Sequence, residues 1–253
     1  MREHTLNTGL LSDLLKIIDS EPFGSRSLFR GQGNAVWKLV PGLYRREVVP
    51  ISAGTLEAGF DVFEGICIER FFNEGLPYLP ALARGYSNDR ILAQHFGVPT
   101  RLLDWSSDPF VAAYFAVEKW WEETDAAIFV LLPDARYKPE DVRSTVSHQA
   151  IAITPPAIDR RIPAQKSVFT FHPYGPSDAP FVPLEDRANM GGQVTTDNNG
   201  TVRGIAKITI PRIRKRQLLT HLLQAGIDRR NLFPGLDGVG ADIAIRMSVG
   251  SII

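Results

Sequence analysis

The sequence predicts an α+β fold: one domain with a mixed or antiparallel sheet at its core and helices flanking it. Short apolar runs such as Ala127–Leu132 and the alternating Ile205–Ile210 have the length and period of strands. Leucines and isoleucines recur at helical spacing in Leu10–Ile18 and at Leu218, Leu219, Leu222 and Leu223. The two kinds of segment are interleaved irregularly, and no glycine-rich dinucleotide loop follows a strand, which counts against a doubly wound parallel sheet.

The elements follow in order. Asn7 or Thr8 caps the opening helix, and Gly24 and Ser25 break the chain after it. Residues 1–26 then form an N-terminal helical segment ahead of a domain over residues 27–253. Ser27–Arg30 is a strand that ends in the turn-forming Gly31, Gln32, Gly33 and Asn34. Trp37–Val40 is apolar and extended, stopped by Pro41 and Gly42. Phe60–Phe72 is helical, and Pro77 and Pro80 end that region. A helix capped by Asn88 or Asp89 runs to Phe96, where Gly97 stops it. Gly97 and Pro99 double the chain back into a turn-rich loop. Asp108 and Pro109 start a helix that continues through Ala112, Ala113, Phe115 and Trp120. The strand Ala127–Leu132 ends at Pro133, and Ala150–Ile153 and Val168–Phe171 are further short strands. Residues 173–203 are rich in Pro, Gly, Asn and Asp and read as a loop-rich insertion. After a strand stopped by Pro211, helices over Lys215–Ala225 and Val239–Met247 complete the chain.

Composition narrows the function classes. With 44% apolar and 22% charged residues over 253 positions, the chain can bury a full core, which excludes disorder as its main state. The formal net charge of zero supplies no global field to draw nucleic acid or an anionic membrane. The densest basic cluster, Arg212, Arg214, Lys215 and Arg216, reads as a solvated helix start. The longest apolar run, Pro109–Val117, is too short to span a bilayer, and the N-terminus lacks the features of a signal peptide. A cytoplasmic protein without membrane association is expected. The single Cys67 stands among apolar neighbours with no histidine near it in sequence, and the five histidines have no metal-ligand spacing, so no metal site is expected.

Three segments concentrate chemistry. In the first, Arg30 ends a strand beside Gly31 and Gln32, with Trp37 and Arg45 behind it. Its guanidinium forks onto carboxylate or phosphate oxygens in a cleft, Gly31 letting a ligand approach, or it serves as a structural partner to a carboxylate. The second packs Gln94, His95, Thr100, Arg101, Asp104, Trp105, Ser106 and Ser107 into one short stretch. Within it Arg101 and Asp104 pair or bind, His95 acts or fills a core position, and Trp105 is core or a stacking surface. The third carries Gln165 beside an apolar strand, where the amide faces a site or satisfies backbone.

Together these segments resemble the FRG domain family, named for its Phe-Arg-Gly motif, here Phe29, Arg30 and Gly31 followed by Gln32, Trp37, Leu39, Pro41 and Arg45. Ala93–Trp105 resembles the family's second motif, continuing through Asp108 and Pro109 into Ala112, Ala113 and Phe115. Arg161–Gln165, Phe169-Thr170 and Leu232–Gly238 fit as well, so the likeness runs from about Ser27 to Gly240 and makes residues 27–253 the FRG domain. The pattern is also similar to that of ADP-ribosyltransferases, which implies an ADP-ribosyltransferase-like fold and NAD as co-substrate. The resemblance assigns Arg30, His95, Ser106 and Gln165 to catalysis, and Arg30, Gly31, Gln32, Thr100, Arg101, Asp104 and Trp105 to the cofactor. Such enzymes usually carry a late-strand Glu, and the nearest equivalent here is Gln165. The implied function is a toxin or defence effector with a protein or nucleic-acid acceptor. Two alternatives stand beside it. One is a non-catalytic module recognising a nucleotide, nucleic acid or protein. The other is a hydrolase with His95 as base and Asp104 as its orienter.

Overall fold

The structure is a computed structural model that describes residues 1–20, 26–45, 56–79, 85–133, 135–142, 150–172, 181–189 and 202–250. Its centre is an eight-stranded mixed sheet in the order β1-β8-β4-β2-β3-β7-β6-β5. The strands are β1 (Arg2–Thr5), β2 (Leu28–Gln32), β3 (Leu102–Ser106), β4 (Ala126–Pro133), β5 (Arg136–Tyr137), β6 (Ile151–Ile153), β7 (Ser167–Phe171) and β8 (Val202–Ile210). The pairs are antiparallel except at the two edges, where β1 runs parallel to β8 and β5 parallel to β6. The irregular interleaving of strands and helices predicts this mixed α+β arrangement.

The helices are α1 (Leu11–Ser20), α2 (Leu56–Gly75), α3 (Tyr86–His95), α4 (Pro109–Val117), α5 (Arg161–Ala164), α6 (Leu184–Asn189), α7 (Arg212–Gln224), α8 (Arg229–Leu232) and α9 (Leu236–Val249). On one face of β8, β4 and β2, residues of α1, α4, α7 and α9 close a core with Phe29, Ile128, Val130 and Ile208. That face continues over β3, β7 and β6, where Ile91 of α3 and Ile162 of α5 meet Leu102, Phe169 and Phe171. The opposite face buries Leu28, Leu103, Trp105, Phe129 and Val168 beneath Leu39 and Leu184. Helix α4 starts as its sequence predicts: Asp108 accepts the Phe110 N–H at 2.8 Å and Pro109 takes the first helical position.

Several expectations are corrected. The polar stretch after Pro99 is not all loop, because Leu102–Ser106 is the central strand β3. Its Leu103 and Trp105 bury on one face while Asp104 and Ser106 alternate with them, a period of two hidden by the density of polar groups. The opening segment holds a strand as well as a helix. β1 has no apolar alternation because it is an exposed edge held by backbone pairing to β8. Helix α4 stops at Val117, short of Trp120. Within the stretch read as an insertion, Leu184–Asn189 is helical and β8 begins at Val202, while residues 173–180 and 190–201 lie outside the described residues. The basic cluster is not a solvated helix start throughout: Lys215 is fully buried, donating to the Glu122 and Thr124 carbonyls, and burial lowers its pKa.

Candidate functional site

β2 and β3 are neighbours in the sheet, yet they pair at one position, Phe29 opposite Ser106. β2 makes five such pairs with β4 on its other side, and β3 makes five with β7. Beyond Phe29 the two strands part, and the wedge between them opens into a cavity of about 830 Å³. Its walls come from both sheet faces. Trp37, Val40, Tyr44 and Arg45 enter from one side, and Ala112, Phe115, Glu118 and Phe233 from the other.

Arg30 bridges the wedge. Its Nη1 donates to the Asp104 carbonyl at 2.7 Å, a main-chain acceptor that a regular ladder would have paired with β2, and lies 3.7 Å from Asp104 Oδ2. Its Nε is buried and has no hydrogen-bond partner among the described residues. Burial lowers the Arg30 pKa to about 10, Asp104 opposing the shift and Arg45 adding to it. Beside it the buried Gln32 side chain leaves Oε1 without a partner. A buried donor and a buried acceptor left open in one cavity are what a polar ligand would satisfy.

Asp104 is itself held. Gln94 Nε2 donates to its Oδ1 at 2.8 Å, and the Thr100 hydroxyl donates in turn to Gln94 Oε1. Trp105 stacks into the buried face, with its indole N–H on Thr170 Oγ1 at 2.8 Å. The Ser106 hydroxyl donates to the Gln165 carbonyl at 2.8 Å, and the Gln165 amide donates to the Leu232 carbonyl at 3.0 Å. Lys166 follows with a φ of 48°, a left-handed backbone that its carbonyl's bonds to Ser107 help to hold.

Of the residues proposed from sequence, Arg30, Gly31, Gln32, Asp104, Trp105, Ser106 and Gln165 all line the cavity. His95, Thr100 and Arg101 do not. His95 turns away to Asp159, with Nε2 3.0 Å from Oδ1, and burial lowers its pKa against the pull of that carboxylate. His95 therefore does not sit with Asp104 as a base and its orienter. Arg101 does not pair with Asp104. It is buried against Glu64, whose carboxylate takes both its N–H and its Nε, and against Asp61. Gly31 is also used differently: a Cβ there would overlap the Ala112 carbonyl, so the glycine admits helix α4 rather than a ligand.

Sequence reading does not find Glu118, and it notes Phe233 only within the Leu232–Gly238 stretch, with no role in the site. Glu118 follows Phe115 and Ala112 at three-residue steps, one row of α4 facing the cavity, and that spacing is the signal that would have found it. Burial raises the Glu118 pKa, while the Arg229 guanidinium at 2.7 Å opposes the shift. Among the described residues no group of His, Cys, Asp and Glu could hold a metal ion, and no helix is long and apolar enough to cross a membrane.

No curated protein and no solved structure matches the chain. A family model does: residues 25–125 match the FRG domain. The matched segment supplies the Arg30 wall, the Asp104 wall and Glu118, whereas Gln165 and Phe233 reach the cavity from beyond it. The Phe29-Arg30-Gly31 strand and the Gln94–Trp105 segment both lie inside the matched residues, so the likeness to the FRG domain is shown for residues 25–125, the part of the chain that builds the Arg30 and Asp104 walls.

Proposed function

We propose that the cavity binds NAD and that the chain is an ADP-ribosyltransferase-like protein passing ADP-ribose to a macromolecular acceptor, as a toxin or defence effector does. The observation that carries this reading is Arg30, buried in the wedge with an unpaired Nε. A guanidinium there suits phosphate oxygens, which accept charge-assisted bonds roughly twice as strong as neutral ones. Trp37 and Phe115 offer aromatic surface to the flat rings of a dinucleotide. Calorimetric titration of the purified protein with NAD tests it. Saturable binding that Arg30→Ala abolishes is the expected result. Absence of binding at millimolar NAD sinks the reading.

A second reading is a recognition module that binds without turnover. Gln165 favours it: the residue is neutral, and its amide is occupied by the Leu232 carbonyl. A neutral amide stabilises developing positive charge far less than a carboxylate does. NAD that binds but stays intact over hours with candidate acceptors present is the outcome this reading expects.

A further inference from the structure

Glu118 is a carboxylate in the cavity that the reading above leaves without a task. Its Oε2 is fixed by Arg229 Nη1 at 2.7 Å, while its Oε1 accepts no hydrogen bond among the described residues. Arg229 is in turn fixed over the Phe233 ring, 3.5 Å from its centroid. Phe233 meets Phe115 edge to face at 6.0 Å, so the carboxylate is anchored beside two aromatic rings with its side chain 22% exposed. Arg30 answers to a different carboxylate, Asp104, across the wedge. The cavity therefore holds two carboxylates on opposite walls, Asp104 beside Arg30 and Arg45, and Glu118 with one oxygen paired to Arg229 and the other open. A carboxylate with one open oxygen next to aromatic surface receives a flat cation, because charge meets charge while the rings cover the apolar face.

We propose that Glu118 receives the positively charged pyridinium ring of an oxidised nicotinamide dinucleotide, and so makes the site select the oxidised form over the reduced form, whose ring is neutral. The proposal rests on the NAD reading but can fail apart from it. The test titrates wild type and Glu118→Gln with NAD, with NADH and with 1-methylnicotinamide, a pyridinium cation lacking the phosphates. Gln keeps the shape and still accepts from Arg229, and thermal melts check that it folds. Wild type is expected to prefer NAD over NADH by about tenfold, as one partly screened charge pair would give. Glu118→Gln should lose that preference, and Glu118→Asp, which keeps the charge, should retain it. Equal binding of the two dinucleotides by wild type, or a preference that survives in Glu118→Gln, overturns the role of Glu118 and leaves the NAD reading standing. Binding of 1-methylnicotinamide alone, weakened by Glu118→Gln, supports the cation site and overturns the NAD reading. Binding of none of the three overturns both.

Discussion

At the residue scale, one side chain type is put to opposite uses. Arg101 is surrounded by acceptors: burial works against its charge, but Glu64, with Tyr44, Tyr86 and Asp61, raises its pKa above the ordinary range. Arg30 is buried with one backbone acceptor, a longer contact to Asp104 and an orphan Nε. A ligand-binding role for Arg101 is legible in the sequence, whereas its pairing is not, because its partner Glu64 stands 37 positions away along the chain. His95 makes a titration prediction. Burial holds its pKa below the ordinary 6.5, although Asp159 pulls the other way. Between those two values the unfolded chain binds the proton and the folded chain does not, so stability falls as the pH drops through 6.5. His95→Gln removes that contribution. Urea denaturation at pH 7.5 and 5.5 should show wild type losing more stability on acidification than His95→Gln. Equal losses would mean His95 titrates the same folded and unfolded.

At the element scale, α2 and α3 are tied to the sheet through one carboxylate. Glu64 of α2 is fully buried and takes Arg90 Nε of α3 at 3.0 Å, and Arg101 Nε and N–H at 2.7 and 2.8 Å. Arg90 also lies on the Tyr86 ring at 3.6 Å, and Arg101 is 5.5 Å from the Phe171 ring. Removing the carboxylate strands the buried Arg90 guanidinium and leaves Arg101 with Asp61 alone, so Glu64→Ala is expected to cost about 3–5 kcal/mol. Equilibrium unfolding in urea measures it, and a loss below about 1 kcal/mol would show that water replaces the carboxylate at no great cost. Helix α2 itself is legible from Phe60–Phe72, because apolar spacing marks a packed helix. Its anchor is not, since an isolated Glu between apolar residues carries no pattern that names a distant arginine. The same contrast holds for α4. The Asp108 cap and Pro109 announce its start, yet its cavity row of Ala112, Phe115 and Glu118 has meaning only once β2 and β3 are known to part.

At the scale of the whole molecule, the sheet is two half-sheets that share one backbone pair, Phe29 with Ser106. The strands of each half are visible as apolar runs, but the parting of β2 from β3 is a property of no single segment. It follows from β2 having to pack Gly31 against α4 while Arg30 fills the gap that a ladder would occupy. A strand's N–H and C=O at one residue point the same way, so the Asp104 amide faces the wedge with the carbonyl that Arg30 holds. Leu103 and Trp105 face β7 instead, in its regular ladder. A ligand touching both walls joins the two halves. Hydrogen exchange at the Asp104 amide should therefore slow about tenfold or more when NAD saturates the cavity, following the roughly 1.4 kcal/mol that separates each decade of an opening equilibrium. The amides of Leu103 and Trp105 should change less, because β7 already protects them. Exchange followed by NMR with and without NAD resolves the two classes. A bound ligand that leaves Asp104 as exchangeable as before would mean that it occupies one wall only, and that the wedge is a structural gap filled by Arg30 rather than the seat of the site.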